Sequence, residues 1–250
     1  MRFLSTSRRD LLQGAGWIFA GAALAPRSVF ASIPVSPVME RLSSYMADAR
    51  GRELPEAVVE DAKRHSLDTF GAMISGSELP PGRDAIQFAR AYGGEKVATV
   101  AASNIVCGAI EAALANGLLA HSDETDDSLA PSHCHPGCSI VPATLAAAER
   151  FGIDGQQFLR AVTLGYDIGP RVTMTMGGGT VEARDFRSSH SIAGTFGSAA
   201  AAGSASSLTA QQMRWLLSYT AQESGGTAAW QRDIDHIEKG FDFGGMPARN

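Results

Sequence analysis

Residues 115–149 read ANGLLAHSDETDDSLAPSHCHPGCSIVPATLAAAE. On either side of a polar loop lie small, apolar segments, 107–120 and 140–148, in which Ala and Leu recur at the three- and four-residue spacing of a helix face. The loop cannot be helical throughout, because Pro131, Pro136 and Gly137 interrupt it. It concentrates the ionisable chemistry of an otherwise Ala-rich chain: His121, Asp123, Glu124, Asp126, Asp127, Ser128, His133, Cys134, His135 and Cys138. A purely structural loop does not need four carboxylates and three imidazoles together.

Outward from this core the chain continues to read as helix. Segments 37–49 and 55–75 both carry the helical period, the second with Val58, Val59, Ala62, Ser66, Phe70, Met73 and Ile74 on one face. Its other face holds Glu56, Glu60, Asp61, Lys63 and Arg64, so His65 on this helix reads as a surface residue. A short helix is expected over 83–92 and a brief extended piece over 97–100. Downstream, Asp154 with Gln157 and Thr209 with Gln212 read as capping boxes that open helices over 155–167 and 210–222. With no sustained alternation of apolar and polar residues anywhere, the expectation is an all-α helical bundle.

The N-terminus reads as an address. Ser7-Arg8-Arg9-Asp10-Leu11-Leu12 is a twin-arginine motif, followed by an apolar run over 14–25 and a small-residue exit, Val29-Phe30-Ala31. The run is shorter than the roughly 20 apolar residues that span a bilayer. Residues 1–31 are therefore expected to be a signal peptide, with 32–250 as one exported domain in the periplasm. The full chain has a formal net charge of −5, and loss of Arg2, Arg8, Arg9 and Arg27 against Asp10 makes the remainder more acidic. Clustered Lys and Arg are missing, which argues against nucleic acid as a partner, and no later segment suits a membrane span.

The loop suits general acid/base work on a carbon acid or a hydroxyl leaving group, which needs a base of suitable pKa and a cation or donor for the developing charge. His135, in a Pro-Gly turn between two helices, could be the acid or base, with Glu124 or Asp127 to orient it. Cations for substrate carboxylates would come from Arg171, Arg184, Arg187 or Lys239. The three cysteines, Cys107, Cys134 and Cys138, allow a local disulfide, free thiols, or, with His133 and His135, a drawn zinc site that has no second ligand pair.

The pattern His121-x-x-Glu124-x-Asp126-Asp127, then His135-Pro136-Gly137, then Pro142-Ala143-x-Leu145-Ala146-x-Ala148-Glu149, resembles the signature of the MmgE/PrpD family, which includes 2-methylcitrate dehydratases and cis-aconitate decarboxylases. Asn116-Gly117, Gly165-Tyr166-Asp167-Ile168 and Gly194-Thr195-Phe196-Gly197 extend the likeness from residue 37 to the end. The resemblance implies the large helical domain of that family and cofactor-free, metal-free lyase chemistry on a small di- or tricarboxylic acid. Matched residue by residue, it implies Glu124, Ser128, His135 and Lys239 as pocket residues; with the loop's own chemistry, the expected catalytic set is His135, Glu124, Asp127 and His190, with Ser128 and Lys239 as substrate contacts.

The chain departs from the family pattern in places. Thr125 replaces an aromatic residue, and the usual second histidine falls on Ser188, with His190 two places later as either a site residue or a helix cap. Family members continue into a smaller lid domain, so the helical domain is expected to be incomplete. A second polypeptide could complete it, and the family tends towards homodimers. Two other readings stay open at this point. One is a non-catalytic helical fragment or binding module; the other is a periplasmic metal-dependent hydrolase on His121, the carboxylates, His133, His135 and the two loop cysteines.

Overall fold

The computed structural model describes residues 34–250. The twin-arginine segment lies outside the described residues. Contacts cluster residues 37–250 into one compact unit, and it is all-α. In chain order come α1 (Pro37–Ala49), α2 (Glu56–Gly76), α3 (Pro80–Tyr92), the short antiparallel pair β1 (Ala98–Thr99) and β2 (Val106–Cys107), and α4 (Ala109–Ala120). The polar loop leads into α5 (Gly137–Phe151), followed by α6 (Gly155–Met176), α7 (Thr180–Asp185), α8 (Ser189–Ala205) and α9 (Ala210–Glu223). A 3-10 turn (Ala228–Arg232), the single turn α10 (Ile237–Lys239), a π-helical segment (Gly240–Gly245) and α11 (Met246–Arg249) close the chain. No helix among the described residues is long and apolar enough to cross a membrane.

Three departures from the sequence expectations have physical causes. Helix α6 runs on through Pro170 to Met176 instead of stopping near Asp167. Its buried face continues through Ile168, Gly169, Pro170 and Thr173, so packing outweighs the lost hydrogen bond of an internal proline, about 3 kcal/mol. At the start of α6, Asp154 accepts from the Gln157 amide (2.8 Å) with no return bond from the Gln157 side chain, so the expected capping box is half made. At α9 both bonds of the Thr209–Gln212 box are present. Helix α5 already starts at Gly137, before the expected 140, where Asp127 caps its N-terminus from the preceding loop (Gly137 N–H to Oδ1, 2.9 Å).

Small residues set how closely the layers approach. A Cβ on Gly169 would sit 2.9 Å from the Cα of Gly197, so α6 and α8 meet backbone to backbone. A Cβ on Gly117 would sit 2.6 Å from the carbonyl carbon of Gly244, so the π-helical segment lies directly on α4. This second contact positions the site, because it brings residues 236–243 to the end of α4, where His121 stands. His121 itself is wholly buried, among the largest fully buried side chains of the described residues, beside Met46, Met73, Leu119 and Ile140.

Candidate active site

Five of the chain's six histidines form one run of ring contacts. His236 lies 5.3 Å from His121, His121 4.9 Å from His135, His135 5.5 Å from His190 and His190 5.1 Å from His133, between ring centroids. They come from four separate places: the C-cap of α4, the loop, the first turn of α8 and the turn before α10. Phe243 of the π-helical segment forms the floor, stacked on His190 at 3.7 Å and 3° and packed against His121 at 4.8 Å. Trp230 stands edge-on to both Phe243 and His190.

Carboxylates interleave the imidazoles. Asp126 is buried and shared: Oδ1 meets His121 Nδ1 at 2.9 Å, and Oδ2 lies 3.6 Å from His135 Nδ1. The second separation is close enough for strong attraction and too long for a hydrogen bond, so Asp126 Oδ2 and His135 Nδ1 are both left without a hydrogen-bond partner. Glu182 of α7 pairs with His190 Nδ1 at 3.2 Å and accepts from the Ser189 hydroxyl at 2.8 Å. Lys239 Nζ holds Glu124 Oε1 at 3.0 Å and lies 5.6 Å from the Trp230 ring centroid.

These surroundings push two neighbouring histidines in opposite directions. Burial opposes the charged form of His135, but the Asp126 carboxylate overcomes it, with Glu124 and Asp127 adding, so its pKa is raised above the ordinary imidazole value. His190 is lowered to about 4: burial dominates, Glu182 only partly offsets it, and the nearby His135 and His133 charges add to the depression. For Asp126, burial works to raise the pKa and is outweighed by His121 and His135, which hold the carboxyl well below its usual range. Glu124 is also lowered, because the Lys239 ammonium outweighs partial burial. Asp242 is raised by burial despite bonds from Ser188 and Ser191.

Of the residues the sequence singled out, His135, Glu124, His190 and Lys239 border this cluster. His190 is not the cap of α8; Ser188 is, accepting from the Ser191 amide at 3.2 Å. Asp127 lies apart from this cluster. The acid beside His135 is Asp126, and Asp127 faces away, accepting from Gly137 N–H, from the Tyr166 hydroxyl at 2.8 Å and from His65 Nδ1 at 2.7 Å. His65 is half-exposed on that outer side, as expected of a surface residue. Ser128 is exposed and makes no hydrogen bond among the described residues. Arg171 and Arg184 are exposed and paired with Asp167 and Asp185. All three cysteines are buried free thiols, and none belongs to a group of side chains able to share a metal ion among the described residues.

Sequence reasoning missed Glu182, His236, Trp230 and Phe243. They lie 47 to 119 residues from Glu124 or His135 along the chain by number, and nothing in their local pattern marks them. Residues 40–246 match the MmgE/PrpD N-terminal domain. The chain belongs to the MmgE/PrpD family. Within that family it is 29% identical over 184 residues to the cis-aconitate decarboxylase-like protein oryM of Aspergillus oryzae, covering 71% of this chain and 37% of that protein. It is 29% identical over 200 residues to human cis-aconitate decarboxylase and 25% over the same length to the mouse protein, covering 77% of this chain and 40% of each. The chain therefore spans about two fifths of the length of these curated relatives.

Proposed function

We propose that this MmgE/PrpD chain carries the acid/base site of a cofactor-independent lyase for small di- or tricarboxylic acids. The observation that carries the reading is the pair His135 and His190, 5.5 Å apart, whose environments push their proton affinities apart. Such divergence assigns an acid and a base. His135, whose protonated form the Asp126 carboxylate favours, is the proton donor. His190, neutral at pH 7, is the acceptor, with Glu182 holding its Nδ1 side. In a dehydration, His190 takes the proton from carbon, the C–O bond breaks, and the His135 proton leaves with the hydroxyl as water. In a decarboxylation, the electron pair of the broken C–C bond stays on carbon and takes the His135 proton. Lys239 holds a substrate carboxylate in exchange for Glu124.

The names of the relatives make cis-aconitate the first acid to try, and the family resemblance adds 2-methylcitrate as the second. Proton NMR of either acid incubated with the purified chain should show product, and His135→Gln should slow its formation by at least about 100-fold, the usual worth of general acid catalysis. Unchanged turnover in His135→Gln would sink the reading.

A second reading, a helical binding module, is favoured by one feature. An apolar groove of about 660 Å³ runs between α3, α4 and the 233–241 segment, lined by Phe88, Leu114, Leu118, Ile237 and Phe241. A second copy or a second polypeptide would cover it. Light scattering on the purified chain distinguishes the two: a monomer that turns over substrate removes the module reading. Export by the twin-arginine route stays part of the proposal, and N-terminal sequencing of protein from the periplasm, expected to begin at Ser32, tests it.

A further inference from the structure

The buried imidazole of His121 has one nitrogen satisfied and one without a partner. Its Nδ1 meets Asp126 Oδ1 at 2.9 Å, while its Nε2 is buried with no hydrogen bond, and so is Nε2 of His236. Glu124 Oε1 lies 3.9 Å from His121 Nε2. A Glu124 oxygen and one nitrogen of each of these two imidazoles all lie within 4.8 Å of one another. The His121–Glu124 separation is too long for a bond between the two groups and leaves room for a single atom among the three. Three points 4.8 Å apart share a centre about 2.8 Å from each, the length of a hydrogen bond to oxygen.

The protons on the three groups select which oxygen fits. Asp126 is ionised, so His121 donates to it from Nδ1 and, in its uncharged tautomer, presents a lone pair at Nε2. Glu124 is ionised beside Lys239 and only accepts. Burial, with His121 and Lys239 adding to it, outweighs Glu124 and pushes His236 towards its neutral form, whose ring supplies one N–H. Two acceptors and one donor around one point match a molecule with two hydrogens and a lone pair, which is water. A carboxylate oxygen brings no hydrogen to the two acceptors, and a carbon-bound hydroxyl brings only one.

We infer that His121 Nε2, Glu124 Oε1 and His236 Nε2 hold the water molecule that the reaction releases or takes up, which makes His236 a catalytic residue. The inference rests on the lyase reading and narrows it, from loss of water or of carbon dioxide, to loss or addition of water. In the dehydration direction His190 takes the proton from carbon and the C–H electron pair becomes the double bond. The C–O pair stays with oxygen, and the His135 proton completes the water. The departing oxygen thus gains the second hydrogen that the trio needs, so the trio fits the products better than the substrate. Glu124 gains this partner as Lys239 turns from it to the substrate carboxylate. The water also lies next to the proton donor, because the His121 and His135 rings are 4.9 Å apart and share Asp126.

His236 sits at φ 62°, a backbone state that asparagine tolerates, so His236→Asn keeps the turn and withdraws the Nε2 donor. His236→Gln extends an amide N–H to a similar reach. The full chain and both variants are incubated with cis-aconitate in oxygen-18 water, and the products are read by proton NMR and mass spectrometry. Wild type should give a hydroxy acid carrying one labelled oxygen and no decarboxylated product. His236→Asn should form it at least about tenfold more slowly at little-changed KM, and His236→Gln should recover part of the rate. A wild type that only decarboxylates, a His236→Asn chain as fast as wild type, or a loss that His236→Gln does not relieve overturns the water site and leaves the lyase reading standing. No product from cis-aconitate, nor from 2-methylcitrate in the opposite direction, removes the lyase reading and the water site with it.

Discussion

Asp126 and Asp127 are neighbours in the chain and opposites in the fold. Asp127 is saturated: a helix N-terminus, a tyrosine hydroxyl and an imidazole all donate to it, tying α2, α5 and α6 to the loop. Asp126, one residue earlier, faces inward and divides itself between two histidines, with one oxygen left without a hydrogen bond. The first arrangement holds structure together, since every donor is matched and nothing is left to react. The second leaves lone pairs and protons unmatched in a buried place, which is where proton affinities move furthest. Identity and position in a motif did not distinguish the two residues; the direction each side chain leaves the loop did.

The largest effect expected on the Asp127 side is on stability. Asp127→Ala orphans the Gly137 amide and the buried Tyr166 hydroxyl, each worth about 1–3 kcal/mol, so thermal unfolding should come about 10 °C earlier for a domain of this size. A melting temperature within about 2 °C of wild type would break the comparison. Tyr166→Phe removes one of those donors and should cost about 1.5–3 kcal/mol, as a hydrogen bond to a charged group; chemical denaturation with an unchanged slope would measure it.

The smallest effect is a pH dependence at His65. Its hydrogen bond to Asp127 raises its pKa above the ordinary value near 6.5, against partial burial. Because the folded value is the higher one, the contribution is fully present below the unfolded pKa and is lost as pH rises through the folded pKa. The melting temperature of wild type relative to His65→Gln should thus exceed it most at pH 5.5 and converge by pH 8.5. A gap that widens with pH would contradict the pairing.

Much of the scaffold was legible because its signals are local. Helix α1 begins and ends where its period does, the Thr209–Gln212 box opens α9 as its spacing requires, and the loop between α4 and α5 announces itself by density of charge. The site was legible only along that loop. His135 could be placed beside a carboxylate, but choosing between Asp126 and Asp127 needs the turn geometry around Glu124 and His133, both at positive φ. Glu182, His236 and Phe243 arrive by tertiary packing, through contacts such as Gly117 against Gly244, and no spacing rule connects them to His135. The continuation of α6 past Pro170 was missed for a related reason: a local breaker was overruled by a buried face.

The most direct test of the division between the two aspartates is a paired measurement on Asp126→Asn, turnover of cis-aconitate beside thermal melting. Removing the charge that favours the protonated form of His135 should cut turnover at least about 100-fold, while the melting temperature falls less than in Asp127→Ala. An Asp126→Asn protein that keeps wild-type turnover, or one whose lost turnover is matched by a larger loss of stability than Asp127→Ala suffers, would contradict the account.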